Sequence, residues 1–131
     1  MHGHLIGDEV LLLMSRLLRS SFRYHDRLYR FGGEEFVVLL DCVAGAQAAL
    51  AFERLRLNVE RFIFPQVGHI TVSIGFTRTE AADAPSAAFS RADKALYHAK
   101  GLGRNRVTQY ENLVHAGSIV EPRIGGDIEL F

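Results

Sequence analysis

Two adjacent glycines followed by two adjacent glutamates, Gly32-Gly33-Glu34-Glu35, stand between the apolar runs Leu28-Tyr29-Arg30-Phe31 and Phe36-Val37-Val38-Leu39-Leu40. Aromatic and β-branched residues favour strands, and a Gly-Gly pair supplies the positive φ angles of a tight primed turn. The stretch is therefore expected to be the tip of a β-hairpin. Without Cβ atoms, the two glycines let a flat anionic or aromatic ligand approach the backbone. Carboxylates at the rim of such a patch can bind a divalent metal or take a proton from a hydroxyl. Taken alone, the same residues also describe a plain surface hairpin capped by solvated acids.

At 131 residues the chain has the length of one domain that can bury a core without staples. Lysine plus arginine equal aspartate plus glutamate at 15 each, so no global charge argues for nucleic acid or a membrane surface. Any phosphate binding must be local. Cys42 is the only cysteine, which excludes an internal disulfide and suits a reducing cytoplasm. No apolar run reaches membrane-spanning length and no N-terminal signal pattern is present, so a cytoplasmic location is expected.

In chain order, Val10, Leu13, Met14, Leu17 and Leu18 repeat with helical spacing, followed by a polar connection from Arg19 to Asp26 and then the hairpin. A second helix is expected from about Ala44 to Arg61, with Phe52, Leu55, Val59 and Phe62 on one stripe, ended by Pro65 and Gly68. Ile70 to Phe76 alternates like a strand, and Gly75 within it points to a bulge or a close backbone neighbour. Ser86 is expected to cap a third helix reaching Lys100, with Phe89, Ala92, Leu96 and Ala99 inward. Gly101 to Asn105 forms the stop, and Arg106 to Tyr110 a short edge strand. This order predicts an α/β (α+β) fold, a mixed central sheet flanked by helices. Residues 111–131 read as a tail that can dock through Ile128, Leu130 and Phe131, and the second Gly-Gly-Asp, Gly125 to Asp127, belongs to it.

Five signatures in order give the chain a family resemblance from about Gly3 to Tyr110. They are Gly3-His4 with Gly7-Asp8, the Arg30-to-Phe36 hairpin, Thr71 to Gly75, Ala92 to Tyr97 with Ala99-Lys100, and Gly103 to Val107. Together they resemble the GGDEF diguanylate cyclases in the Gly-Gly-Glu-Glu-Phe variant, a nucleotidyl-cyclase-like fold. The resemblance implies synthesis of cyclic di-GMP from two GTP molecules, each held by one domain of an antiparallel homodimer, with magnesium or manganese as cofactor. It assigns Glu34 to the metal and Glu35 to the attacking 3′-hydroxyl, with Gly32 and Gly33 giving the nucleotide room. Asp8 matches the acceptor for the guanine edge, with His4 nearby, and Lys100 and Arg104 match the cations on the β- and γ-phosphates. Asp8 is equally suited to a helix N-cap and Lys100 to a C-terminal helix cation. Arg23, Asp26 and Arg54 match an inhibitory cyclic di-GMP site, in which guanidinium groups stack on guanine and fork onto phosphate.

The family's first strand, with its metal-binding aspartate, precedes the position of Gly3 and has no counterpart in this sequence. The domain is accordingly expected to span residues 1–110 without that strand and to show no cyclase activity by itself. Three functions stay open at this point: a cyclase domain with product inhibition, a non-catalytic cyclic di-GMP-binding module, and an inactive fragment that pairs with another chain.

Overall fold

The computed structural model describes residues 4–23, 26–30, 35–40 and 44–120, with 4–6 and 30 as backbone only. Helix α1 (His4–Ser21) turns its expected stripe inward: Met14 and Leu18 are buried, and Val10, Leu13 and Leu17 pack against the same core. The helix runs through the Arg19–Ser21 segment expected to be a connection. Ser20 and Ser21 donate back to the Leu17 carbonyl at 3.0 and 2.7 Å, and Arg19 donates across the bend to the Asp26 carbonyl at 2.9 Å.

Strand β1 (Arg27–Arg30) pairs antiparallel with β2 (Phe36–Leu39), as a hairpin does, but Arg30 lies opposite Phe36, whereas the expected two-residue turn on Gly32-Gly33 would place it opposite Glu35. The turn expected at Gly32-Gly33, together with Glu34, lies outside the described residues, as does Cys42. Helix α2 (Gly45–Arg61) buries Ala48, Phe52, Leu55 and Val59. It ends at Phe62, whose N–H donates to the Val59 carbonyl at 3.2 Å, ahead of the expected Pro65. Fully buried Phe64 then anchors a turn closed by Gly68 at φ 91°.

Strand β3 (Ile74–Phe76) pairs in parallel with β4 (Val107–Gln109). The strand expected from Ile70 is thus shorter. Ile70 and Val72 lean on the main core, and the Ser73 hydroxyl accepts from the Asn105 N–H at 3.1 Å, so their β-branched composition serves burial rather than pairing. The class of mixed helices and strands holds, but the described strands form two two-stranded sheets instead of one central sheet. Side chains join them: Phe22, Val38 and Ile74 pack against both buried clusters.

Helix α3 (Pro85–Gly101) starts one residue before the expected cap. Ala84 takes the N-cap and Pro85 the first turn, where its missing N–H costs nothing, which leaves Ser86 inside the helix. Ala95 and Ala99 are fully buried, whereas Phe89, expected inward, is 39% exposed. The reason is the closeness of β3 and α3: a Cβ on Gly75 would lie 2.1 Å from the Leu96 backbone nitrogen, so only small residues fit the contact line. The close neighbour expected of Gly75 is therefore α3. Helix α4 (Tyr110–His115) was not foreseen. Its first residue, read as a strand end, is only 2% exposed. Residues 121–131, including Ile128, Leu130 and Phe131, lie outside the described residues.

Arg91 ties this half together. It donates to both Asp83 oxygens at 3.1 and 2.6 Å, to Thr77 Oγ1 at 3.2 Å and to the Arg78 carbonyl at 2.9 Å, while Thr77 donates to Glu111 at 2.6 Å. The Arg91 hydrogen bonds, then the Glu80 N–H, hold the Asp83 carboxyl below its ordinary value of 3.8. A depressed carboxyl stabilises the fold above its unfolded pKa and loses that contribution as pH falls through the folded one. Asp83→Asn is therefore expected to lower the urea midpoint at pH 7 and to converge on the wild type as the pH falls below that ordinary value. Gly75→Ala is expected to cost about 3 kcal/mol in urea unfolding, against a near-neutral Gly101→Ala, whose Cβ would meet nothing within 4 Å.

Candidate functional site

The bend between α1 and β1 is closed by a reciprocal pair. The Asp26 N–H donates to the Arg23 carbonyl at 3.0 Å, and the Arg23 N–H donates to Asp26 Oδ2 at 2.9 Å. Phe22 seats the bend by meeting Phe52 edge-on, with centroids 5.7 Å apart. These contacts leave Asp26 only 4% exposed, and its Oδ1 has no hydrogen-bond partner among the described residues. A buried, unpaired carboxylate oxygen is costly, on the order of 1–3 kcal/mol or more, and its presence asks for a donor. Both Asp26 and Arg23 line a pocket of about 280 Å³, walled by Leu40, Leu50 and Ala51 and completed by Gln47 and Arg54. The structure thus brings Arg23, Asp26 and Arg54 together, with both guanidinium-bearing residues exposed.

A second group lies at the end of α3. Lys100 is exposed in the last turn, in the place of a C-terminal helix cation. The Leu102 N–H donates to the His98 carbonyl at 2.9 Å and the Arg104 N–H to the Ala99 carbonyl at 3.0 Å. Gly103, Arg104 and Asn105 then take left-handed backbone, with φ of 118°, 63° and 48°. Asp8 is exposed within α1, four residues after the helix begins, so it is not its N-cap. His4 is the first residue of α1, and its side chain lies outside the described residues, as do Gly32, Gly33 and Glu34. Glu35 is exposed immediately before β2. Among the described residues no hydrogen bond or ion pair joins Asp8, Glu35, Lys100 and Arg104 to one another.

The family model described as "Diguanylate cyclase, GGDEF domain" matches residues 1–106. The chain belongs to the GGDEF diguanylate cyclase family. Diguanylate cyclase DgcP of Pseudomonas aeruginosa is 44% identical over 108 residues, covering 80% of this chain and 16% of that protein. Diguanylate cyclase DgcM of Escherichia coli K12 is 41% identical over 107 residues, covering 82% of this chain and 26% of that protein. The chain therefore spans well under half the length of these curated relatives. The solved GGDEF domain of DgcB from Caulobacter crescentus in complex with c-di-GMP superposes with a TM-score of 0.78 at 32% identity, covering 83% of this chain and 67% of that one.

For a GGDEF domain the described residues do not by themselves fit a divalent metal: no three His, Cys, Asp or Glu residues cluster among them. Glu35, the described acid of the hairpin pair, makes no hydrogen bond or ion pair among the described residues. No described helix is long and apolar enough to cross a membrane. Sequence reading missed the residues that brace the Arg104 turn. Arg56 NH1 donates to Asn105 Oδ1 at 3.0 Å, and Asn105 Nδ2 donates to Glu60 Oε2 at 2.9 Å. Arg56 also pairs with Glu53 and, at 3.5 Å, with Glu60, and its hydrogen bond holds the Glu53 carboxyl below the usual range. The i,i+3 and i,i+4 spacing of these charges was a readable signal, but it reads as a solvated helix face.

Proposed function

We propose that this GGDEF chain is the cyclase domain of a diguanylate cyclase. In an antiparallel homodimer it condenses two GTP into cyclic di-GMP, each 3′-hydroxyl displacing pyrophosphate from the other nucleotide. The product then returns to the pocket of Arg23, Asp26 and Arg54. In this reading Lys100 and Arg104 take the β- and γ-phosphates, Asp8 and His4 the guanine, and Glu35 the proton of the attacking hydroxyl. Gly32 and Gly33 leave room for the nucleotide, and Glu34 is the ligand for magnesium or manganese.

One observation carries the product-binding half: Arg23 and Asp26 of the α1–β1 bend and Arg54 of α2 line one pocket, and Asp26 keeps a buried carboxylate oxygen with no donor among the described residues. A guanine edge presents N–H donors to a carboxylate such as Asp26, Leu40, Leu50 and Ala51 offer apolar contact to the base, and the two arginines offer charge to phosphate. At about 280 Å³ the pocket accommodates a base and its phosphate, with the rest of a dinucleotide outside it. The solved DgcB domain, which holds c-di-GMP, supports the same chemistry. A receptor without catalysis is the second reading. What speaks for it is that the pocket residues converge while no hydrogen bond or ion pair joins Asp8, Glu35, Lys100 and Arg104 among the described residues.

Calorimetry with cyclic di-GMP tests the pocket. A lost charge-assisted hydrogen bond is worth about 1.5–3 kcal/mol, so Arg23→Ala is expected to weaken binding about tenfold or more. Exposed Arg16, which does not line the pocket, serves as the charge control, and Arg16→Ala is expected to bind like the wild type. No heat from a folded wild type would remove the assignment, and equal losses in both variants would reduce it to general electrostatics. Chromatography of the products from GTP separates cyclase from receptor.

A further inference from the structure

Arg104 and Asn105 are consecutive non-glycine residues in the left-handed region, a conformation that L-residues hold only where the surroundings over-determine it. Here the surroundings do so through Asn105. Its N–H donates to Ser73 Oγ at 3.1 Å, its Nδ2 to Glu60 Oε2 at 2.9 Å, and its Oδ1 accepts from Arg56 NH1 at 3.0 Å. Arg56 is itself held by Glu53 and Glu60 and its side chain is only 14% exposed, whereas Arg104 is exposed. An exposed cation loses conformational entropy when it grips a ligand, and a fixed backbone beneath it reduces that loss.

We infer that Arg56 is a positioning residue for triphosphate binding. Through Asn105 it locks the Gly103–Asn105 turn, so that Arg104 is presented in one backbone conformation to the terminal phosphates of a nucleoside triphosphate. Arg56 touches no ligand in this scheme; it acts from α2 on a turn that follows α3. The inference rests on the reading of Arg104 as a phosphate ligand. A lysine at position 56 keeps the charge but not the planar fork that joins Glu53, Glu60 and Asn105, so it does not substitute. Glycine at position 105 suits the backbone angle but supplies none of the side-chain bonds.

The test uses the 131-residue chain, with the β,γ-imido analogue of GTP and GMP as probes. Amide hydrogen exchange at residues 103–106 is expected to quicken in Arg56→Gln and Asn105→Gly while exchange in α1 stays as in the wild type. The preference for triphosphate over monophosphate, read by calorimetry, is expected to fall roughly tenfold in Arg56→Gln, Arg56→Lys and Asn105→Gly. Arg104→Ala is expected to show the same fall, and the Arg56→Gln/Arg104→Ala double variant no further fall, because two residues serving one contact are not additive. Unchanged exchange at 103–106 overturns the lock. Additive losses, or an effective Arg104→Ala beside a silent Arg56→Gln, overturn the role of Arg56 alone. A silent Arg104→Ala overturns the phosphate reading of Arg104 and the inference with it.

Discussion

The burial of Phe52, Leu55 and Val59 fixes the rotation of α2, and both candidate sites depend on that rotation. An α-helix turns roughly 100° per residue, so with Leu55 pinned in the core its neighbours Arg54 and Arg56 emerge on opposite flanks. Arg54 joins the pocket at the α1–β1 bend, and Arg56 reaches the turn after α3. Two adjacent arginines of similar chemistry thereby serve two places. A shift of α2 about its axis would disturb both at once, which couples the sites through packing rather than through contact.

The two sheets are held in register by the same core. Phe22, Val38 and Ile74 pack against both buried clusters, so the hairpin and the β3–β4 pair sit on a common apolar floor without a ladder between them among the described residues. On the far side, Gly75 lets α3 lie against β3 at backbone distance, and Thr108 secures the approach by donating to the Ala95 carbonyl at 2.6 Å. That close contact fixes how α3 lies against β3, and the helix carries Lys100 and the Arg104 turn at its end.

Much of this was legible in the sequence because periodicity reports burial. The inward stripes of α1 and α2, the hairpin pairing and the demand of Gly75 for a close neighbour all follow from spacing and side-chain size. Caps and ladders were less legible. Ser86 has the better capping side chain, yet Pro85 fixes the helix start two residues earlier, with Ala84 as the cap, and the β-branched run from Ile70 looks like a strand although its first residues bury without pairing. Tyr110 resembled the last residue of a strand because an aromatic suits either state, and its burial at the start of α4 is a tertiary effect. The pocket was legible through resemblance in Arg23, Asp26 and Arg54. Its unpaired oxygen was not, because solvent access and donor geometry have no sequence signature.

The central claim is that the rotation of α2 builds a guanine-nucleotide pocket around Asp26. A crystal structure of the chain with cyclic di-GMP tests it most directly. The account predicts a guanine edge donating to the Asp26 carboxylate, with Arg23 and Arg54 on the phosphates and α2 unrotated. A bound dinucleotide elsewhere on the molecule, with the Asp26 carboxylate untouched by it, would contradict it.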